Sequence, residues 1–170
     1  MNTLRHTAIH EAGHAVIGRA MAQLCGGVTV IADAEAGEAG HAICADPWAT
    51  VSAWERAGRW RGYESIMVGR IITMLAGRHA EEVILGSCEG GDAEDMRQVS
   101  WMLDDIDRGD DIAFLERAYL MTRMLARRHR VAIEAVAAAL ESKMTLSAAQ
   151  IASIIMEAGG NVGRLEAVEP

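Results

Sequence analysis

The chain has 170 residues, carries a formal net charge of −8, and is 51% hydrophobic but only 4% aromatic. This length suffices for one domain with a substantial core, and the apolar content excludes a disordered chain. The scarcity of aromatic residues favours packed helices over a β-sandwich, and the negative charge argues against a general binder of nucleic acids or anionic membranes.

The first predicted element is a helix over 4–25, and it carries the pattern H-E-x-x-H at His10, Glu11 and His14. Side chains four residues apart on a helix project from nearly the same face, about 6 Å from each other, so both imidazoles can bind one metal ion. Glu11 points away from the ligand axis and can reach a water beside the metal, where a general base must lie. Gly26 and Gly27 are expected to end this helix.

The full pattern at the start of an amphipathic helix favours a zinc hydrolase site over two histidines that share a helix face for no catalytic reason. His6 lies one turn before His10 on a similar face. We interpret it as solvated, or as a support behind the ligands, because it is two turns away from His14.

A β-hairpin is predicted after this helix. The β-branched run at 28–31 and the segment 41–45 are typical of antiparallel strands around a polar turn at 33–40, and Asp46-Pro47 ends the second strand. A substrate peptide could add to an edge strand of this hairpin by main-chain hydrogen bonds. The residues predicted for that edge are Val28, Val30, Ala42 and Ile43.

Tryptophan and arginine residues alternate over 50–61, a composition that can bind single-stranded nucleic acid by stacking and phosphate contact. The alternative is a surface helix or loop whose rings pack on the domain. The net negative charge favours this alternative, so we predict no nucleic-acid partner.

The remaining chain is predicted to be mostly helical. One long helix or a pair of helices is expected at 62–85. Further helices are expected from 92 to about 103, at 112–128, at 131–143, and from a cap near 145–150 to 157. A glycine-rich loop at 86–91 and an acidic turn at 104–111 connect them. We assign 1–158 to one metallopeptidase-like domain and 159–170 to a flexible tail.

No segment of the sequence predicts export or membrane insertion. The most apolar stretch, 66–76, contains Arg70 and is too short to span a bilayer. The three cysteines (Cys25, Cys44 and Cys88) are odd in number and lack C-x-x-C spacing, so we expect reduced thiols in a cytoplasmic protein.

A catalytic zinc ion usually has three protein ligands, and the H-E-x-x-H pattern supplies two of them. Asp95 is our candidate for the third, because the N-terminal turn of a helix keeps a carboxylate ionised. Spacing alone does not separate it from Glu89, Asp92 or Glu94, and helix capping is the alternative role. Cys88 is a weaker candidate in the same loop.

Three blocks of the sequence resemble the peptidase domain of the FtsH family of ATP-dependent zinc metalloproteases. They are HEAGHAV at 10–16, LAGRHAEEVILG at 75–86 and GDAEDMRQV at 91–99. The last two are similar to that family's L-G-G-R-A-A-E-E-x-x-F-G and G-A-S-N-D-I-x-x-A. The resemblance implies a mainly α, zincin-like domain with a small sheet, a zinc ion held by His10, His14 and Asp95, and peptide or unfolded-protein substrates. Because the related enzymes form rings, it also makes self-association plausible.

The departures from that family shape the expected function. The chain has no G-x-x-x-x-G-K-[ST] phosphate loop and no membrane anchor, so we expect peptidase chemistry without an ATPase of its own. The leading hypothesis is a stand-alone zinc endopeptidase. The alternative is a catalytically silent peptidase-like module that assembles with itself or with a separate ATPase. Either Glu81 or Glu82 is expected to orient a histidine ligand, unless one is a surface charge and the other a buried structural partner.

Overall fold

The computed structural model describes residues 4–32, 40–89, 91–106 and 111–159. Most of the predicted turn at 33–40, part of the acidic turn at 104–111, and all of the tail after Gly159 lie outside these residues. The described elements follow in the order α1 (Leu4–Ala20), β1 (Cys25–Thr29), β2 (His41–Cys44), α2 (Pro47–Arg56), α3 (Tyr63–Ile84), α4 (Ala93–Ile106), α5 (Asp111–Arg128), α6 (Arg130–Lys143), β3 (Thr145–Leu146) and α7 (Ala148–Glu157).

The described chain is mainly helical with one small antiparallel sheet, as predicted. Helix α7 begins at a capping box, in which Ser147 accepts from the Gln150 backbone and Gln150 bonds back to the Ser147 backbone. The bounds predicted for the acidic turn at 104–111 are wrong, because Asp104, Asp105 and Ile106 belong to α4 and Asp111 begins α5.

Helix α1 is the central element of the fold, and every residue from Thr7 to Gly18 is buried. It packs against α3, α6 and the sheet. A helix covered on all sides buries its polar residues together with its apolar ones. His10, Glu11 and His14 therefore lie inside the protein and not on its surface.

Two glycines let α1 and α3 approach each other closely. A Cβ atom on Gly13 of α1 would lie 2.7 Å from the carbonyl oxygen of Ala76 and 2.8 Å from the Cβ atom of Ala80. On α3, a Cβ atom at Gly77 would lie 2.4 Å from His10 Nε2. Larger residues at either position would push the helices or the imidazole apart, so these glycines determine how α3 meets the H-E-x-x-H segment.

The predicted end of the first helix is wrong, because the helix stops before Gly26 and Gly27. Ala22 adopts a left-handed conformation with φ 54°. The backbone N–H of Gln23 bonds to the Gly18 carbonyl and that of Ala22 to the Arg19 carbonyl, which is a Schellman ending. Gly26 and Gly27 lie within β1, where side chains would collide with Ile43 and with the Leu146 carbonyl.

The sheet has the order β2-β1-β3, and this arrangement corrects the predicted edge strand. Val28 pairs with Ala42 on one side and with Leu146 on the other, and the Val30 backbone N–H bonds to the Met144 carbonyl. Val28 is therefore on an interior strand. Val30, predicted as part of the strand at 28–31, lies just after β1, and its backbone N–H is already bonded, so neither residue offers a free strand edge to a peptide. Ala42 and Ile43 do lie on an edge strand, since β2 pairs with β1 alone among the described residues.

Two clusters of buried side chains stabilise the fold. The larger one joins α1, the sheet, α6 and α7. The smaller one lies between α3, α4 and α5, and includes Ile71, Leu75, Val99, Leu103 and Phe114. Burial of Val99 and Leu103 holds α4 against α3, and this packing determines where Asp95 points.

We expect Ala22→Gly to stabilise the protein by about 0.5–1 kcal/mol, because glycine adopts a left-handed conformation without the cost that a Cβ atom adds. The unfolding free energy from urea titration measures this change. Ala138 is a solvent-exposed residue in the middle of α6. Ala138→Gly should therefore have the opposite effect and destabilise the protein by about 1 kcal/mol. Destabilisation by both variants would contradict the Schellman ending.

Candidate metal centre

Two histidines from α1 and one aspartate from α4 converge on one point. One potential ligand atom from each of His10, His14 and Asp95 lies within 4.8 Å of the other two. Asp95 Oδ2 is 3.1 Å from His10 Nε2 and 3.2 Å from His14 Nε2. Ligand atoms at about 2.0–2.1 Å from a tetrahedral metal ion are separated by about 3.3 Å. The two distances from Asp95 to the imidazole nitrogens are thus close to the separation expected between two ligands of a single ion.

The hydrogen bonds of His14 indicate that a cation fits between these side chains. His14 Nδ1 lies 2.7 Å from the carbonyl oxygen of Thr73, which only accepts, so Nδ1 carries the proton. A neutral His14 then directs the lone pair of Nε2 at Asp95, whose ionised carboxylate also only accepts. Two lone pairs at 3.2 Å repel each other unless a proton or a metal ion lies between them.

Glu81 holds Nδ1 of His10, just as the Thr73 carbonyl holds Nδ1 of His14. Its side chain is fully buried, and its Oε1 atom is 2.7 Å from His10 Nδ1. Its Oε2 atom is 2.8 Å from His6 Nδ1 and accepts from the backbone N–H of Glu89. A carboxylate behind a metal-binding imidazole fixes both the proton position and the ring orientation. His6 thus supports Glu81 from behind, one of the two roles the sequence left open.

Glu82, the other predicted support, faces away from this cluster. Its carboxylate is bonded to Arg78 at 3.0 Å and to His79 at 3.0 Å, and neither is a candidate ligand. Consecutive residues on a helix point about 100° apart, so only one of the pair can face His10. The contacts assign the orienting position to Glu81.

The other acidic and thiol candidates for the third ligand have different partners. Asp92 bonds to Arg78, Glu94 to Gln98, and Glu89 to His6. The thiol of Cys88 lies 3.8 Å from Glu81 Oε1, and Cys88 is not part of the group formed by His10, His14 and Asp95. Among these candidates, Asp95 alone meets both imidazoles.

The electrostatics of the cluster favour added positive charge. Burial opposes the charged form of His10, but hydrogen bonds to Asp95 and Glu81 outweigh it and raise the pKa of His10 to about 10. Burial also opposes protonation of His14, yet attraction to Asp95 raises the pKa of His14 above its usual range. Burial raises the pKa of Asp95, but the charge of His14 and hydrogen bonds from both imidazoles depress it overall. Protons on the imidazoles or a bound metal ion can supply this positive charge, and both bind to the Nε2 atoms of His10 and His14.

Glu11 is the carboxylate beside the three-ligand group. It is 7% exposed, and burial raises its pKa above the usual value despite the opposing charges of His14 and His10. The charge of His41, at the start of β2, also acts on Glu11, so the edge strand lies within electrostatic range of it. A carboxylate with a raised pKa is suited to accept a proton and to release it again.

The tryptophan and arginine segment packs partly on the domain. Trp54 Nε1 donates to the Ala22 carbonyl, and Arg61 donates to the Met21 carbonyl. Arg59 and Arg61 lie over the Trp54 ring at 5.9 and 5.6 Å from its centroid. Trp54 thus packs on the domain as the surface-helix interpretation predicts, whereas Trp60 is 84% exposed. None of the helices in the described part of the chain is both long and apolar enough to cross a membrane.

The chain matches no protein-family model and no curated protein. The likeness to FtsH peptidases therefore rests on the three sequence blocks, and the chemistry of the site rests on the side chains described above.

We expect Glu81→Gln to weaken zinc binding about 10- to 100-fold, because an amide orients His10 less firmly and removes a negative charge behind it. Competition with a chromogenic chelator measures the zinc dissociation constant. Glu82→Gln is the matched control, since it changes the adjacent residue by the same atoms, and it should leave zinc affinity unchanged. Equal weakening by both variants would contradict the orienting role of Glu81.

The metal-free protein should lose stability as the pH rises from 6.5 towards 10. The pKa of His10 is raised from 6.5 to about 10 in the folded state, so its contribution is fully present below pH 6.5 and is lost as the pH passes through the folded value. Melting temperatures of the protein in a chelator, measured across this range, check the slope. His10→Gln should flatten it, and an equal slope in that variant would assign the pH dependence to other groups.

Proposed function

We propose that this protein is a zinc-dependent endopeptidase with a zincin-like site, acting on unfolded or flexible peptides. His10, His14 and Asp95 would hold the zinc ion. One observation carries the proposal: both imidazoles commit Nδ1 to an acceptor behind them and direct Nε2 at the same oxygen of Asp95. The resemblance to FtsH peptidases supports it independently.

The donor set suits zinc, because two imidazoles and one carboxylate leave a fourth position open, as in catalytic zinc sites. When bound there, zinc supplies Lewis acidity that lowers the pKa of water to about 7 and polarises a carbonyl group. The rest of the chemistry falls to the side chains of this chain.

Glu11 is the proposed proton carrier. Its carboxylate takes a proton from the water that attacks the scissile carbonyl, and then delivers a proton to the leaving amine. The buried surroundings that raise the pKa of Glu11 help it to hold the proton between these two steps. Asp95 is unsuited to this role, since its pKa is depressed and both imidazoles face its Oδ2 atom.

The outer edge of β2 is the proposed docking strand for the substrate. Ala42 and Ile43 lie on it, Ile43 is 54% exposed, and the strand is close enough to the site for the charge of His41 to affect Glu11. An extended peptide that pairs with β2 gains main-chain hydrogen bonds regardless of its sequence. Weak sequence selectivity follows from this mode of binding.

A cytoplasmic location remains a prediction.

We expect Glu11→Gln to retain zinc and to lower the rate of casein cleavage about 10²- to 10⁴-fold, because the amide cannot accept the proton. Zinc content by elemental analysis and release of labelled casein fragments are measured on the same preparations. Glu116→Gln is the matched control: it makes the same change on the exposed face of α5 and should leave both quantities unchanged.

Two further variants test the ligand assignment. Asp95→Ala should lose zinc, whereas Asp92→Ala, three residues earlier, should keep it. If the wild type binds zinc but cleaves nothing, even with candidate ATPases supplied, the chain is a silent peptidase-like module that assembles with itself or with such a partner. If Asp95→Ala retains full zinc content, the metal centre itself is wrongly assigned.

A further inference from the structure

Cys25 on β1 and Cys44 on β2 form a cross-strand pair away from the metal centre. They are register partners, and their sulfur atoms lie 3.9 Å apart. The Ala45 backbone N–H bonds to the Leu24 carbonyl, so the hydrogen bond flanks the pair instead of joining it. Side chains approach most closely at such non-hydrogen-bonded positions, where Cα atoms are about 4.5 Å apart, within the range that a disulfide spans.

The surroundings of this pair are adapted to the two sulfur atoms. A Cβ atom on Gly18 of α1 would lie 2.8 Å from Cys25 Sγ, so the absence of a side chain there makes room for the thiol. Both cysteines are free thiols, and each residue is only partly buried. Arg19 is held beside Cys25 by bonds to the Ala15 and Gly26 carbonyls.

The charges near the pair distinguish its two members. Arg70 donates to the carbonyl of Ala45, the residue after Cys44, and its positive charge acts on the Cys44 thiol. The hydrogen bond from Cys25 and the charge of Arg70 outweigh burial and lower the pKa of Cys44 to about 7. The hydrogen bond to Cys44 and burial raise the pKa of Cys25. The other ionisable groups whose charges act on the pair are Arg19 and His14.

We propose that Cys25 and Cys44 are a redox modification site, at which a peroxide forms a reversible disulfide that links β1 to β2. Cys44 is the attacking thiolate and Cys25 is the resolving thiol. The proposal stands on the cross-strand register, the sulfur separation and the two arginines. It does not depend on the proposed peptidase activity.

The reaction balances with hydrogen peroxide as the oxidant. The Cys44 thiolate attacks one peroxide oxygen, the O–O bond breaks, and the leaving hydroxide takes a proton to become water. The resulting sulfenic acid is attacked by the Cys25 sulfur, whose thiol proton leaves with the departing hydroxyl group as a second water. The two sulfur atoms together lose two electrons, which reduce the peroxide. A small dithiol reverses the reaction by thiol–disulfide exchange.

The disulfide would change the strand on which the proposed substrate edge lies. It would tie Cys44, the last residue of β2, to the interior strand β1, which pairs on its other side with β3. The link leaves the outer edge of Ala42 and Ile43 open while limiting the separation of β2 from the sheet. Any effect of the disulfide on peptide cleavage rests on the proposed function. The number of free thiols does not, so it is the quantity to measure.

The test counts free thiols by alkylation and intact mass after treating the reduced, zinc-loaded protein with hydrogen peroxide. The wild type should go from three free thiols to one, lose the mass of two hydrogen atoms, form no disulfide between two chains, and recover all three thiols with dithiothreitol. Cys88→Ser is the matched control and should still lose two thiols. Cys25→Ser should form no disulfide and should accumulate a sulfenic acid on Cys44 that dimedone traps.

Three results would overturn the proposal: a wild type that keeps three alkylatable thiols, a disulfide that involves Cys88, or irreversible oxidation of Cys44 with Cys25 still free. Arg70→Gln gives a second measurement that needs no cysteine change. It should slow the loss of thiols about tenfold, since the Cys44 thiolate loses its cationic partner. An unchanged rate would contradict the assignment of Cys44 as the attacking thiolate.

Discussion

The close packing of α1 against α3 is the constraint on which the rest of this structure depends. Gly13 removes the side chain that would separate the helices, and Gly77 removes the one that would collide with His10. The approach brings the Thr73 carbonyl to His14 and the Glu81 carboxylate to His10. Both imidazoles therefore turn Nε2 in the same direction, and α4 needs only to add one carboxylate. The candidate metal centre is a consequence of helix packing as much as of the H-E-x-x-H pattern.

Three carboxylates near the contact between α1 and α3 explain why a cation stabilises the cluster of His10, His14 and Asp95. Glu11, Glu81 and Asp95 are three carboxylates, and the two imidazoles that they surround are neutral when they bind a metal. A divalent ion leaves the group with one net negative charge, and so do two protons on the imidazoles. The metal-free and metal-bound proteins can thus reach the same net charge by different routes. The same carboxylates stabilise either cation, and pH decides which one occupies the site.

The small sheet belongs to the larger buried cluster and also reaches the neighbourhood of the candidate metal centre. Its interior strand, β1, pairs on both sides, whereas β2 keeps one edge open and starts near Glu11. The far end of β2 carries Cys44 beside Cys25 and Arg70. One four-residue strand therefore relates the proposed substrate edge to the proposed redox site. The two features are tested separately because they depend on different side chains.

The sequence by itself determined the features that depend on local spacing. It predicted the mainly helical fold, a helix cap near 145–150, and the shared helix face of His10 and His14, because each follows from residues within one or two turns. Only the tertiary structure decided between Glu81 and Glu82, found the Thr73 carbonyl behind His14, and added β3 to the sheet. Spacing left four acidic residues open as the third ligand, and the resemblance to FtsH peptidases pointed to Asp95 before the packing of α4 did. The reason is physical: periodicity states which side chains share a face, but the packing of helices far apart in the chain determines what that face meets.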